Sequence, residues 1–287
     1  MINPDSGKTM ANHQPKTITF DQGQADNGHQ INYIRQGEGP PVILIHGIAA
    51  SLSDWEFLMP ALSAAGYASY ALDLLGHGDS SKPDRDEHYH FRSLFHHLSD
   101  WIAGLQLQAP PVLIGHSLGG FLCLNYALER PMELQALVLI DPFYSKQQLS
   151  LVLRLLNRRP AFGERALRLA PLWFIQTIMG WDMQAAHFSN RTRQQIAEDY
   201  KRASPKITHI AKSVPDLNNR LERVRSPALV IWGNRDRTLH PATFPTLVER
   251  LPHAQGHSIE DCGHQPHLGK PALVNRLVID FLAGQAI

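Results

Sequence analysis

With 287 residues, 43% of them hydrophobic and 18% charged, the chain is long enough to bury a full core, as one large α/β unit or two smaller ones. Its net charge of +1 lends no support to nucleic-acid binding, and the longest apolar tract, about residues 169–181, is too short for a bilayer and is broken by Pro171 and Gln176. Two cysteines, Cys123 and Cys262, cannot build a disulfide framework, and the polar start (residues 1–24) has no apolar h-region. Together these predict a cytoplasmic protein without a secretory signal.

Residues 1–16 read as a disordered tail. Thr17-Ile18-Thr19-Phe20 and Ile31-Asn32-Tyr33-Ile34 alternate as half-buried strands do, with Asp26-Asn27-Gly28 as the turn between them. Residues 41–45 form a continuous apolar run, the mark of a central parallel strand, and end in His46-Gly47-Ile48. The pattern then predicts a helix over 54–65, a strand over 67–72 and a helix over 91–105. Pro111-Val112-Leu113-Ile114 reads as a buried strand that runs into Gly115-His116-Ser117-Leu118-Gly119, and residues 121–130 as a helix stopped by Pro131. So a G-x-S-x-G pattern stands at a strand-to-helix turn, where small flanking residues let a serine be pushed outward on a tight backbone. The next strand, 135–140, closes with Asp141-Pro142. Strands and helices alternating in this way predict a mostly parallel sheet covered on both faces.

Between residues 143 and 225 the strand signal vanishes. Helices are predicted over 149–157, 163–169, 172–179 and 191–203, punctuated by Pro160, Pro171 and Pro205. Residues 145–225 hold 15 Lys/Arg against 6 Asp/Glu, a local charge of +9 in a chain of +1, which a solvated basic face explains as well as a function does. After this insertion come a strand (227–232), a loop with Asp236, a helix (244–251), a strand (255–260), the loop 261–267 and a last helix (271–282).

Five stations coincide: His46-Gly47, Asp73-x-x-Gly76-x-Gly78-x-Ser80, the serine turn, Trp232-Gly233-x-x-Asp236 and Gly263-His264-x-x-His267. From about residue 17 to 284 the chain resembles the α/β-hydrolase superfamily, whose nucleophile, acid and base follow in that order along the chain. The resemblance implies a mostly parallel eight-stranded sheet flanked by helices, a core of residues 17–142 and 226–287, and an all-helical cap over 143–225. It makes Ser117 the nucleophile, Asp236 the acid and His264 the base, with the backbone N–H groups of Ile48 and Leu118 as the oxyanion hole. Asp141, at the end of the preceding strand, is the rival acid, and His257 and His267 are the rivals of His264. His46 and His116 are expected to shape the site without moving protons. The sequence departs from the family pattern at Gly269-Lys270-Pro271, where a Glu commonly precedes the proline; that puts only loop geometry in question.

The chemistry needs this set. A serine hydroxyl is a weak nucleophile until a base takes its proton, and an acid must fix the imidazole tautomer. The expected activity is therefore hydrolysis of a carboxylic ester, lactone or thioester through an acyl-serine, with no cofactor and no metal. His88, His90, His96 and His97 fit no metal-ligand pattern. A serine nucleophile argues against haloalkane dehalogenases and epoxide hydrolases, similar folds that use aspartate there. Cofactor-free haloperoxidases or perhydrolases and carbon–carbon bond hydrolases share the triad, and a non-catalytic hydrolase-fold binding protein is a third class. Trp173, Phe174 and Trp181 supply more apolar surface than a short helix hides, so they are expected to bind an apolar small-molecule substrate. The basic, apolar cap is also expected to suit transient contact with a lipid surface. Oligomeric state stays open.

Overall fold

The computed structural model describes residues 19–24, 28–149, 154, 160–173, 175–177 and 188–285. The predicted tail, most of the predicted helix over 149–157, Phe174, and residues 178–181 with Trp181 lie outside them. Eight strands form one sheet: β1 (Thr19–Gln24), β2 (Gln30–Gln36), β3 (Pro41–Ile45), β4 (Ala68–Leu72), β5 (Val112–His116), β6 (Ala136–Ile140), β7 (Ala228–Gly233) and β8 (Ala254–Ile259), in the spatial order β1-β2-β4-β3-β5-β6-β7-β8. Only β2 runs against its neighbours; β4, β3, β5, β6, β7 and β8 pair in parallel.

The four central strands β3–β6 are almost wholly apolar because both their faces are covered. Side chains alternate between two cores. Ile43, Ile45, Leu113, Leu137, Leu139 and Val230 point into one, while Val42, Leu44, Ile114, Val138, Ile140 and Ile231 point into the other. The first core receives α2 (Phe91–Gly104) and α3 (Leu118–Glu129), and the second α1 (Leu58–Ala64) and the C-terminal helix (Pro271–Ala283). Each fully buried aliphatic side chain contributes roughly 1.5–3 kcal/mol, so truncating one such as Val138 or Leu137 opens a costly cavity.

Two differences from the predicted boundaries bear on the site. The helix over 54–65 splits into a 3-10 turn, Leu52–Trp55, and α1; the Ser51 hydroxyl accepts from Ser53 N and starts the turn. The nucleophile helix starts at Leu118 rather than residue 121, and takes in Gly119 and Gly120. A Cβ on Gly119 would run into the Ile45 carbonyl oxygen, so this turn can lie against β3 only as glycine.

Between β6 and β7 the described residues hold helices and 3-10 turns and no named strand, apart from a single bridge from Leu149 to Leu239. The longest helices there are α4 (Pro160–Leu169) and α5 (Asn190–Arg202). Asp199 of α5 accepts from Ser53 Oγ (2.6 Å) and Arg202 (3.0 Å), and Ser204 N donates to Gly76 O (2.7 Å). These contacts fasten the second half of the insertion to the loops after β3 and β4. Strand order reverses around β3: β4 lies on one side of it and β5 on the other, leaving a crevice at their carboxyl ends.

Candidate active site

Ser117 stands at that crevice, directly after β5, with φ 50° and ψ −110°. A non-glycine residue pays about 1–2 kcal/mol for left-handed backbone, and the surrounding structure must hold it there. Here Ser117 N donates to Ile140 O of β6 (3.0 Å), and Ser117 O accepts from Phe121 N (3.1 Å) and Phe143 N (3.0 Å). Leu118 is the first residue of α3, so its N–H has no carbonyl one turn back to meet. The His46-Gly47 loop lies against the elbow: a Cβ on Gly47 would sit 2.8 Å from His116 Nδ1 and 3.3 Å from Ser117 Cβ. His46 packs edge-on against His77, with ring centroids 5.1 Å apart; its Nδ1–H donates to Gly47 O (2.7 Å) while Nε2 accepts from Leu74 N (3.0 Å). It pins one loop to another.

His264, in the loop after β8, donates from Nδ1 to Asp236 Oδ2 at 2.7 Å, with both groups buried. That bond fixes the tautomer and makes Nε2 the basic nitrogen. Asp236 is itself locked, since its Oδ1 accepts from Thr238 N (2.7 Å) and Leu239 N (2.9 Å). Burial pushes its carboxyl up, but His264 outweighs burial and holds it below the usual carboxylate range. Asp141, at φ 40° after β6, accepts through Oδ1 from Gly233 N (3.1 Å) and faces Asp236 rather than pairing with the His264 ring. Burial first, and Asp236 second, raise its carboxyl well above the usual range.

A second trio lies behind the first. Asp54 Oδ2 is 3.7 Å from His116 Nδ1 and 3.9 Å from His267 Nε2, beyond hydrogen-bond reach, and all three side chains are buried. Trp55 stacks on His267. His116 donates from Nε2 to the His264 carbonyl (2.8 Å), since a carbonyl can only accept. Burial pushes His116 down to about 4 against the pull of Asp54, so it is neutral near pH 7. Among the described residues, these two trios are the groups that bring three His or carboxylate ligand atoms within 4.8 Å of one another. Asp73, for its part, is a brace: its carboxylate accepts from Leu52 N, Asp79 N and Asn32 Nδ2. His88 and His97 gather around His29 at the start of β2, away from Ser117, and His90 caps α2.

The model of the α/β hydrolase fold matches residues 40–271, four-fifths of the chain. The chain belongs to the α/β-hydrolase fold family. Among its relatives is the bifunctional epoxide hydrolase 2 of Sus scrofa, 25% identical over 90% of this chain and 54% of that protein. The chain thus spans about half the length of that relative. A 2-hydroxy-6-oxo-6-(2'-aminophenyl)hexa-2,4-dienoic acid hydrolase of Metapseudomonas resinovorans is 25% identical over 90% of this chain and 89% of the relative. A thermophilic esterase from Thermogutta terrifontis superposes with a TM-score of 0.80 at 23% identity, covering 94% of this chain and 100% of the esterase, and shares its fold.

In this α/β hydrolase the sequence-selected Ser117, Asp236 and His264 lie at the carboxyl end of the sheet, with Ile48 in the loop after β3 and Leu118 at the start of α3. Trp173 stands 66% exposed on the insertion, so the core does not claim it, while Phe174 and Trp181 lie outside the described residues. Sequence reasoning passed over Asp54 and the partnership of His267 with it. The Asp54-Trp55 pair two turns of chain beyond His46-Gly47, and the i, i+3 spacing of His264 and His267, were the available signals.

Proposed function

We propose that this α/β hydrolase cleaves a carboxylic ester, or a close acyl relative such as a lactone or thioester, through an acyl-serine intermediate on Ser117. One observation carries the reading: a serine on strained backbone follows His116, which donates to the carbonyl of a buried His264 whose Nδ1 is tied to Asp236 at 2.7 Å. Ser117 Oγ attacks the acyl carbon while its proton passes to His264 Nε2, and the carbonyl electron pair moves onto oxygen. The N–H groups of Ile48 and Leu118 hold that oxyanion, each such donor being worth about 10²–10³-fold in rate. Collapse breaks the acyl–oxygen bond, and the leaving alkoxide takes the proton from His264. Water, deprotonated by the same base, then releases the acid. The reaction needs no cofactor.

The +9 segment over residues 145–225 acts as a lid in this reading, with exposed Leu169, Leu172 and Trp173 offering apolar surface to an acyl chain. The same surface suits transient contact with anionic lipid, and the substrate is a small molecule. A second reading, hydrolysis of a carbon–carbon bond in a 2-hydroxy-6-oxo acid, is favoured by the similarity over 90% of this chain and 89% of the Metapseudomonas resinovorans hydrolase.

A series of p-nitrophenyl esters of rising acyl length, run beside a 2-hydroxy-6-oxo-dienoate, separates the two. The ester reading expects burst kinetics, rates that rise with chain length, and abolition by Ser117→Ala in a folded protein. Turnover that survives Ser117→Ala, or a fluorophosphonate adduct on another serine, rejects it.

A further inference from the structure

The triad has a fourth member in contact with it whose place in the chemistry the family fold does not explain. Asp141 is completely buried at the carboxyl end of β6, on a left-handed backbone unusual for a side chain other than glycine. Three contacts force it there. Its N–H donates to Ile231 O of β7 (2.8 Å), its Oδ1 accepts from Gly233 N (3.1 Å), and the following Pro142 packs where a Cβ on Gly120 would sit at 2.7 Å. A strained residue so tightly determined marks a position where the side chain matters.

The other oxygen, Oδ2, receives no hydrogen bond from any N–H or O–H group among the described residues. A carboxylate oxygen of Asp236 lies within 4.8 Å of one of Asp141, and the oxygens of Asp236 are committed to Thr238 N, Leu239 N and His264. Two ionised carboxylates so close together repel, whereas one proton between them makes a hydrogen bond. The remaining groups facing Asp141 add no positive charge: the Gly233 N–H is a neutral donor, and burial pushes the Cys262 thiol up to about 11, so it carries no charge. His264 directs its Nδ1–H at Asp236. The proton of the pair therefore belongs on the member with no donor of its own.

We infer that Asp141 is held as a neutral carboxylic acid that donates its proton to Asp236 and so sets the basicity of His264. Burial and the neighbouring charge raise the carboxyl of Asp141 while that of Asp236 falls, in agreement. Asp141 is a positioning residue: it acts on the base through the acid. A donor on Asp236 withdraws part of the charge that would stabilise the imidazolium, so His264 is a weaker base than an unassisted Asp236 would make it. The base still returns to its neutral, proton-accepting form near neutral pH. The second half of this inference rests on the serine-hydrolase reading, and the first half does not.

The experiment has two arms. Infrared difference spectra of the wild type at pH 8 should contain a carboxylic-acid C=O band that shifts in D2O and is lost in Asp141→Asn. Fluorophosphonate inactivation, followed against pH, reads the basicity of His264 without any choice of substrate. Asp141→Ala leaves Asp236 one donor short, so inactivation slows by about tenfold and its midpoint rises by about one pH unit. Asp141→Asn supplies an amide N–H in place of the acid and restores both to about wild-type values. A wild type without the band, or an Asp141→Asn midpoint that falls because a negative charge has been removed, overturns the inference. If Asp141→Ala fails to fold, the band and the Asn midpoint still decide. Complete resistance to the fluorophosphonate would count against Ser117 as nucleophile, and the band would still decide whether Asp141 holds the proton.

Discussion

Two carboxylate–histidine clusters lie side by side beneath the carboxyl end of the sheet, made of the same residue types and equally buried, yet separated by about an ångström in their central contact. Asp236 meets His264 at 2.7 Å, while Asp54 stands 3.7 Å from His116 and 3.9 Å from His267. The difference lies in what holds each carboxylate. Two backbone amides seize Asp236 Oδ1 and aim Oδ2 at one ring nitrogen. Asp54 is shared between two rings and hydrogen-bonds neither, and the two rings hold its carboxyl below the usual range although burial opposes them. The first arrangement selects a tautomer and an orientation. The second supplies a diffuse negative field under the elbow, with His116 as the link between them through its bond to the His264 carbonyl. Composition alone does not separate chemistry from scaffold here; the backbone donors do.

The comparison breaks most sharply at the two aspartates. Asp236→Asn should lower kcat by about 10⁴ through the wrong His264 tautomer. Asp54→Asn should cost less than about tenfold in kcat but lower stability by about 1–3 kcal/mol, since it disturbs buried polar groups without touching the reacting atoms. Steady-state kinetics and chemical denaturation of both variants check this, and equal losses of kcat would erase the distinction.

A second prediction concerns protonation of the scaffold histidines. Burial takes His77 to about 3 and His116 to about 4 in the folded protein, against about 6.5 in an unfolded chain. Below pH 6.5 the unfolded chain therefore binds protons that the folded one refuses. Each of these histidines should remove about 1.4 kcal/mol of stability per pH unit as pH falls from 6.5 toward its folded value. Denaturant midpoints measured between pH 7 and 4.5 should show the loss, and His116→Gln should shallow the slope. Stability that rises on acidification would mean that His116 is a protonated partner of Asp54, collapsing the contrast between the clusters. Asp54 has the opposite window: its contribution is complete above about pH 4 and fades only below it.

The smallest expected effect reaches from this scaffold to the insertion. Asp199→Asn keeps a polar group against Ser53 and Gln195 but gives up its charge contact with the half-exposed Arg202. A loss of about 0–1 kcal/mol, or a fall in Tm of no more than about 4 °C, should follow, with KM moving more than kcat. Thermal melts beside kinetics on an ester would test whether this anchor governs the insertion or only decorates it.

Much of this molecule could be read before any coordinates. Continuous apolar runs at 41–45, 112–114 and 136–140 announce central parallel strands because both their faces are buried, and a glycine-flanked serine between such a run and a helix announces an elbow. The serine–acid–histidine order was equally visible. The strand runs and the elbow are local signals, each lying within a dozen residues, where periodicity and steric need act directly. The sequence favoured Asp236 over Asp141 only by its place in the loop after the 227–232 strand, since both aspartates follow strands. It also missed that α3 begins at Leu118 and that Asp54, His116 and His267 meet, because those facts depend on the Ile45 carbonyl passing Gly119 and on segments more than 60 residues apart converging at one edge. By itself the sequence therefore determined the sheet and the elbow, and it nominated Ser117, Asp236 and His264 as the candidate reacting groups. The tertiary structure alone decided which carboxylate the histidine faces, and it did so through amide donors and burial that no spacing in the chain encodes.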